Sequence, residues 1–186
     1  MNRLHRWYCK TDHWRGTVAE RLMPWVLRDA ALGEHALEIG PGPGLTTDVL
    51  RARVARLTSV EIDARLASAL EARLRGTNVT VVNADATQLP FPDGAFTGAI
   101  ACTMLHHVPS PELQDQLLRE VRRVLRKGAL FVGSDSLSSA LFRLIHVADT
   151  LVPVRPDGFA HRLERAGFAS ARLDVVRSSF RFRATV

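Results

Sequence analysis

Apolar residues recur along this chain in two alternating rhythms. Short apolar runs at Ala36–Ile39, Leu57–Ile62, Val79–Val82, Phe96–Cys102 and Ala129–Val132 read as strands. Between them, apolar positions fall three and four residues apart. Leu45, Val49, Leu50 and Val54 share one face of a helix over Leu45–Val54. Leu66, Leu70 and Leu74 share one face over Ala64–Leu74, which stops at Gly76. Pro111–Leu125 reads as a long amphipathic helix closed by Arg126, Lys127 and Gly128. Strands separated by helices predict βαβ units and a parallel sheet covered on both faces. Thr11–Ala31 predicts a leading helix, kinked at Pro24.

The C-terminal rhythm is different. Phe168–Val176 and Ser178–Val186 read as two strands with almost nothing between them, and Phe180 and Phe182 alternate with Arg181 and Arg183. A connection that short has no room for a crossover helix, so this pair is antiparallel. The expected fold is α/β: a doubly wound, mixed sheet with helices on both faces and a C-terminal antiparallel hairpin. No linker composition appears, so the chain reads as one domain over 1–186. Within it, 1–33 forms an N-terminal helical or lid segment and 34–135 the ligand-binding core. Residues 136–158 read as an insertion over the sheet edge, apolar and then broken at Pro153 and Pro156. Residues 159–186 hold a helix and the hairpin.

Composition narrows the function classes. The 186 residues are 46% hydrophobic and 24% charged, an ordinary globular balance. No apolar run reaches the length of a membrane span, and no apolar signal core follows the basic N-terminus, so no membrane association and a cytoplasmic location are expected. Two cysteines, Cys9 and Cys102, are too few for a disulfide framework or a cysteine zinc site. His5, Cys9 and His13 lack a further ligand nearby, so no metal is expected. The net charge is +6, but the arginines are spread along the chain. In "LLREVRRVLRK" (Leu117–Lys127) they read as a solvated helix face, which argues against nucleic acid as partner.

The candidate chemistry centres on "ALEIGPGPGLTTDV" (Ala36–Val49). Gly40, Gly42 and Gly44 alternate with prolines between the first strand and the first helix, where glycine lets backbone approach a ligand. A dinucleotide fingerprint would place the third glycine at position 45, which is Leu45, and Glu38 would repel a pyrophosphate. A nicotinamide oxidoreductase is therefore disfavoured. A ligand of both signs fits better, with an anionic end for the amides of the turn and a cationic part beside Glu38. Glu61 stands about twenty residues past the first glycine, where a carboxylate accepts ribose hydroxyl protons. Asp85 follows the third strand, placed to accept from an adenine amino group.

"LEIGPGPG", "SVEID", "NADATQLPFPDGAF" and "LHHV…LLREVRRVLRKGALFV", in this order and spacing, resemble the successive motifs of class I S-adenosylmethionine-dependent methyltransferases of the methyltransferase type 11 domain group. The resemblance covers about His35 to Val132. It implies a Rossmann-like seven-stranded sheet in the order 3-2-1-4-5-7-6. It also implies S-adenosyl-L-methionine as cofactor, S-adenosyl-L-homocysteine as product and a small-molecule methyl acceptor. The cofactor set it implies is Glu38 near the amino group, Gly40, Gly42 and Gly44 around the methionine portion, Glu61 with Ile62 at the ribose, Asp85 with Ala86 at the adenine, and Cys102. By its strand position alone, Cys102 reads as buried packing. Three positions depart from the family: Thr97 for an aspartate, and Lys127 and Ala129 for a proline and a glycine.

Methyl transfer from a sulfonium is mainly a matter of alignment in a dry site, and a general base is needed only where the acceptor must lose a proton early. His106 and His107, after the fourth strand, are the candidate bases, His106 ahead of His107, with a structural role as the alternative. Asp135 in "GSDS" is a second candidate that also reads as a surface aspartate. Trp7, Tyr8 and Trp14 are candidates to wrap an apolar acceptor. "CTMLHH" lacks the acid or Asn, Pro-Pro and aromatic run of amino-methylating DNA enzymes. The alternative function is a non-catalytic S-adenosylmethionine-binding or RNA-associated module, kept open by the basic strand "RFRATV".

Overall fold

The computed structural model describes residues 11–138 and 150–186. Trp7, Tyr8, His5 and Cys9 lie outside the described residues, as does 139–149 of the segment read as an insertion. Seven strands form one sheet: β1 (His35–Ile39), β2 (Arg56–Glu61), β3 (Val79–Asn83), β4 (Phe96–Cys102), β5 (Leu125–Ser136), β6 (Ser170–Val175) and β7 (Ser179–Thr185). Their order is β3-β2-β1-β4-β5-β7-β6. The first five strands pair in parallel, and β7 pairs antiparallel with both β5 and β6. The expected α/β fold, its strand order and its terminal hairpin are all present.

The helices are α1 (Asp12–Thr17), α2 (Met23–Val26), α3 (Leu45–Leu50), α4 (Ala64–Leu74), α5 (Pro111–Val124) and α6 (Phe159–Arg165). Asp63 caps α4 by accepting from the Arg65 and Leu66 amides. Ser110 caps α5, with Pro111 in its first turn. The leading helix differs from expectation. It is α1, a π-turn over Val18–Leu22, and α2 ending at Val26. Pro24 has no N–H to return to the preceding turn, and the wide turn lies just before it. β5 is far longer than the expected Ala129–Val132, because the chain pairs again immediately after α5, with Leu125 beside Phe96.

Strand alternation sends side chains to two cores. Leu37, Ile39, Ala99, Ala101 and Phe131 pack with α5 and α6 on one face. Ala36, Leu57, Ile100, Cys102 and Val132 pack with Val18, Met23, Val26 and Leu50 on the other. Under α6, Phe159 meets Phe180 and Phe182 edge-on at 5.6 and 5.3 Å, and Phe131 meets Phe182 at 4.9 Å. Each such pair contributes about 0.5–1.5 kcal/mol beyond its buried area. Thr97 accounts for one family departure. Its hydroxyl accepts from the His35 amide at 2.9 Å and lies 2.9 Å from the Leu32 carbonyl, fixing the entry to β1.

Arg119, Arg126 and Lys127 are exposed, as their spacing predicts, but several arginines are also tied to the protein. Arg123 donates to Glu120, Asp93 and the Leu89 and Phe91 carbonyls, while Arg122 and Arg126 reach the carbonyls of Gly167 and Gly94. On β7, Arg181 holds Asp174 and the Trp25 carbonyl, and Arg183 holds the Asp29 carbonyl. These side chains staple α2 and the loops to the sheet. Both arginines of the "RFRATV" strand thus hold intramolecular partners, although Arg183 itself is exposed.

Candidate functional site

The carboxyl ends of β1, β2, β3 and β4 open into one cavity of about 520 Å3. Its wall includes Gly40, Gly42, Glu61, Ile62, Asp63, Asp85, Ala86 and Cys102, together with Trp14, Val18, Leu22, Met104, His106, His107, Leu113 and Leu117. The structure therefore brings most of the sequence-predicted site together in one place.

The glycine turn works differently from the sequence expectation. All three glycines take positive φ, at 65°, 54° and 88°. A Cβ on Gly40 would sit 3.0 Å from Met104, and one on Gly44 would sit 2.4 Å from the side chains of Arg73 and Leu70. Their amides, however, are already engaged. Gly40 donates to the Val60 carbonyl, Gly42 to Glu61 Oε2 and Gly44 to the Pro41 carbonyl, each at 2.9 Å. Pro41 and Pro43 have no N–H to offer. The turn is thus a braced shape, not a row of bare donors. Arg73 completes the brace from α4, bound to Asp48 at 2.8 Å and to the Pro43 and Gly44 carbonyls at 3.3 Å. No spacing rule pointed to Arg73.

Glu38 also requires correction. It is 2% exposed and does not line the cavity. Alternation along β1 turns it to the α3 face, the side of Ala36. There its oxygens accept from Thr46 at 2.5 Å and from Thr47 and Ser59 at 2.7 Å. Burial pushes its pKa up, opposed by those three hydroxyl bonds. Glu38 ties the glycine turn and α3 to β2 rather than facing an ammonium. The signal that could have found its partners was the "TT" pair one helical turn in, with Ser59 on the same face of the next strand.

Glu61 and Asp85 both line the cavity. Glu61 is 6% exposed, and each oxygen carries one backbone donor, Asp63 on Oε1 at 3.0 Å and Gly42 on Oε2 at 2.9 Å. A carboxylate oxygen accepts two bonds, so each retains capacity for a sugar hydroxyl. Asp85 spends Oδ1 on the Thr87 amide and hydroxyl, both at 2.8 Å. Its Oδ2 has no partner among the described residues. Ile62, 69% exposed, gives an apolar side chain between them. Ala86 lines the cavity beside Asp85. Cys102 also lines it, but burial pushes its thiol to about 12, so it supplies surface and not a thiolate.

The histidines divide. His106 is 2% exposed, and its Nδ1 lies 2.5 Å from Asp135 Oδ1, while its amide donates to Asp135 Oδ2 at 3.1 Å. Asp135 is fully buried in β5, so the reading of a surface aspartate is overturned; the Ser136 amide is its third donor. The pair locks the 3-10 turn Leu105–His107 onto β5. His107 sits closer to solvent, its Nδ1 3.2 Å from the Thr150 carbonyl. The irregular segment at 150–152 packs against this turn: Val152 donates to the His106 carbonyl at 2.8 Å, and buried Gln114 donates to the carbonyls of Leu105 and Val152. Trp14 lines the cavity from α1. The carboxylates of the wall are those of Glu61, Asp63 and Asp85, and neither lysine nor arginine lines the cavity among the described residues.

Comparison with known proteins adds to this geometry. A family model described as "Methyltransferase domain" matches residues 37–133. A probable ribosomal RNA small subunit methyltransferase A of Natronomonas pharaonis is 32% identical over 157 residues, 77% of this chain and 56% of that protein. An rRNA adenine N-6-methyltransferase of Saccharopolyspora erythraea is 52% identical over 67 residues, 34% of this chain and 18% of that protein. The chain thus spans about half or less of the length of these relatives. The crystal structure of a SAM dependent methyltransferase from Archaeoglobus fulgidus has the same fold, with a TM-score of 0.76 at 17% identity, covering 92% of this chain and 94% of that one.

Proposed function

The chain belongs to the methyltransferase domain family, with the class I fold, and from that premise we propose that it transfers the methyl group of S-adenosylmethionine to a small, predominantly apolar acceptor. The observation that carries this reading is the cavity at the carboxyl ends of the strands, lined both by the carboxylates of Glu61 and Asp85 and by apolar side chains including Leu22, Leu113 and Leu117. The residues present fit the cofactor. Glu61 keeps acceptor capacity on both oxygens for the ribose, Asp85 Oδ2 serves the adenine amino group, and Ile62 offers an apolar face to the base. Gly42 lines the cavity with open space where a Cβ would project, so a ligand can approach its backbone. When bound, S-adenosylmethionine supplies an electrophilic methyl on a positively charged sulfur. The chain's own part is positioning and exclusion of water: Trp14, Val18, Leu22, Leu113 and Leu117 form a dry wall. His106 acts here as a brace for the 3-10 turn.

Ribosomal RNA is the acceptor named for two relatives, and it is the second reading. Against it stand "CTMLHH" after β4 and the cation-free cavity wall among the described residues. The arginines bound to carbonyls and carboxylates further reduce the charge left for phosphate. Calorimetry with S-adenosylmethionine, S-adenosylhomocysteine and NAD tests the cofactor. The first two should bind and NAD should not, and Glu61→Ala and Asp85→Ala should each weaken binding by about 1–3 kcal/mol. Methyl-labelled cofactor incubated with total RNA and with a small-molecule extract tests the acceptor. Label entering RNA refutes the small acceptor; binding with no label transferred to either pool supports a non-catalytic module instead.

A further inference from the structure

Thr103 combines features that neither packing nor hydrogen bonding within the protein explains. Its φ is +51°, one of two non-glycine residues with positive φ among those described, and the only β-branched one. A β-branched side chain is a poor occupant of the left-handed region, which glycine or asparagine enters readily. The strain is held in place from both sides. The Thr103 amide donates to the Ser134 carbonyl at 2.8 Å, and the next turn is closed by His107 to Met104 and by the His106–Asp135 pair. Thr103 lines the cavity and is half-buried. Neither its hydroxyl nor its carbonyl has a hydrogen-bond partner among the described residues. Its chain neighbours Cys102 and Met104 line the same cavity.

We propose that Thr103 binds the methyl acceptor, its hydroxyl hydrogen-bonding the polar group of an otherwise apolar molecule. The left-handed backbone falls at a residue that lines the cavity, in keeping with strain stored at a functional position. The acceptor class is then a neutral compound with one hydrogen-bonding O–H or N–H on an apolar, ring-sized body. This rests on the cavity being the S-adenosylmethionine site.

The probes are phenol, which carries the polar hydrogen, and anisole, which does not, titrated into protein saturated with S-adenosylhomocysteine and followed by ligand-observed NMR. Wild type and Thr103→Ser should bind phenol at least about fivefold more tightly than anisole, the discrimination of one hydrogen bond. Thr103→Val should bind the two equally. Thr103→Gly should also lose the preference yet melt at a higher temperature than wild type, because it relieves the strain. Equal binding of the two probes by wild type, binding of neither, or a preference surviving in Thr103→Val overturns the proposal. S-adenosylhomocysteine affinity is read separately in each variant and should stay within about twofold. Failure of wild type to bind it would sink the cofactor reading, whereas intact binding with no phenol preference would sink only the role of Thr103.

Discussion

Glu38→Gln and Glu38→Ala separate a structural brace from a ligand contact. The carboxylate is 2% exposed and holds three hydroxyls, two of them, on Thr47 and Ser59, fully buried. Truncation to alanine leaves those two hydroxyls without an acceptor. Each orphaned buried group costs about 1–3 kcal/mol, so Glu38→Ala should lose about 2–6 kcal/mol. Glutamine keeps the shape: its oxygen accepts from Thr47 and Ser59, and its amide donates to the Thr46 hydroxyl, so the loss should be about 1 kcal/mol or less. pH sharpens the test. Burial is the largest influence on Glu38 and lifts its pKa above the ordinary 4.5. Such a carboxyl binds its proton more tightly in the folded state. Its contribution to stability is greatest below the unfolded pKa and is lost as pH rises through the folded pKa. Relative to wild type, Glu38→Gln should therefore gain stability as pH rises past about 4.5 and level off beyond the folded pKa. Urea melts across that range measure it, with calorimetry for cofactor affinity at neutral pH. A Glu38→Gln protein as unstable as Glu38→Ala would refute the hydroxyl-cradle argument. Normal stability with cofactor affinity reduced more than tenfold would restore Glu38 as a direct ligand contact.

Two further outcomes follow from buried pairs. Asp135→Asn leaves three donors facing one acceptor oxygen and breaks the pair with His106; it should cost about 3–5 kcal/mol in urea melts, and a loss below about 1 kcal/mol would show that the pair does not lock the turn. Arg181→Gln removes the bond to the Trp25 carbonyl and the stacking of the guanidinium 5.8 Å above the Trp25 ring. It should cost about 1–2 kcal/mol, with proteolysis appearing first near Leu27–Asp29 and no change in nucleic-acid binding; a fall in RNA affinity would instead make Arg181 an RNA contact.

What the sequence disclosed and what it hid have physical causes. Strands and helices were legible because burial imposes periods of two and about three and a half, and the hairpin because so short a gap forbids a crossover. The same alternation carried more than was taken from it. Ala36, Glu38 and Ser59 fall on one face, so the acid that looked free to greet a cation was bound to point at α3 and its hydroxyls. Hydrogen-bond ownership was not legible. Gly42 donates to Glu61 across nineteen residues, and Arg73 clasps the turn from the far end of a helix. Neither contact leaves a local signature, because both depend on how two βα units close on each other. The glycine pattern marked a sharp turn correctly, yet the turn's amides were already committed to building it. In a strand–turn–helix of this kind the spacing of glycines reports the geometry of the backbone. Polar atoms with capacity left over once that geometry is built are what a ligand would meet, and our proposals rest on those of Glu61, Asp85 Oδ2 and Thr103.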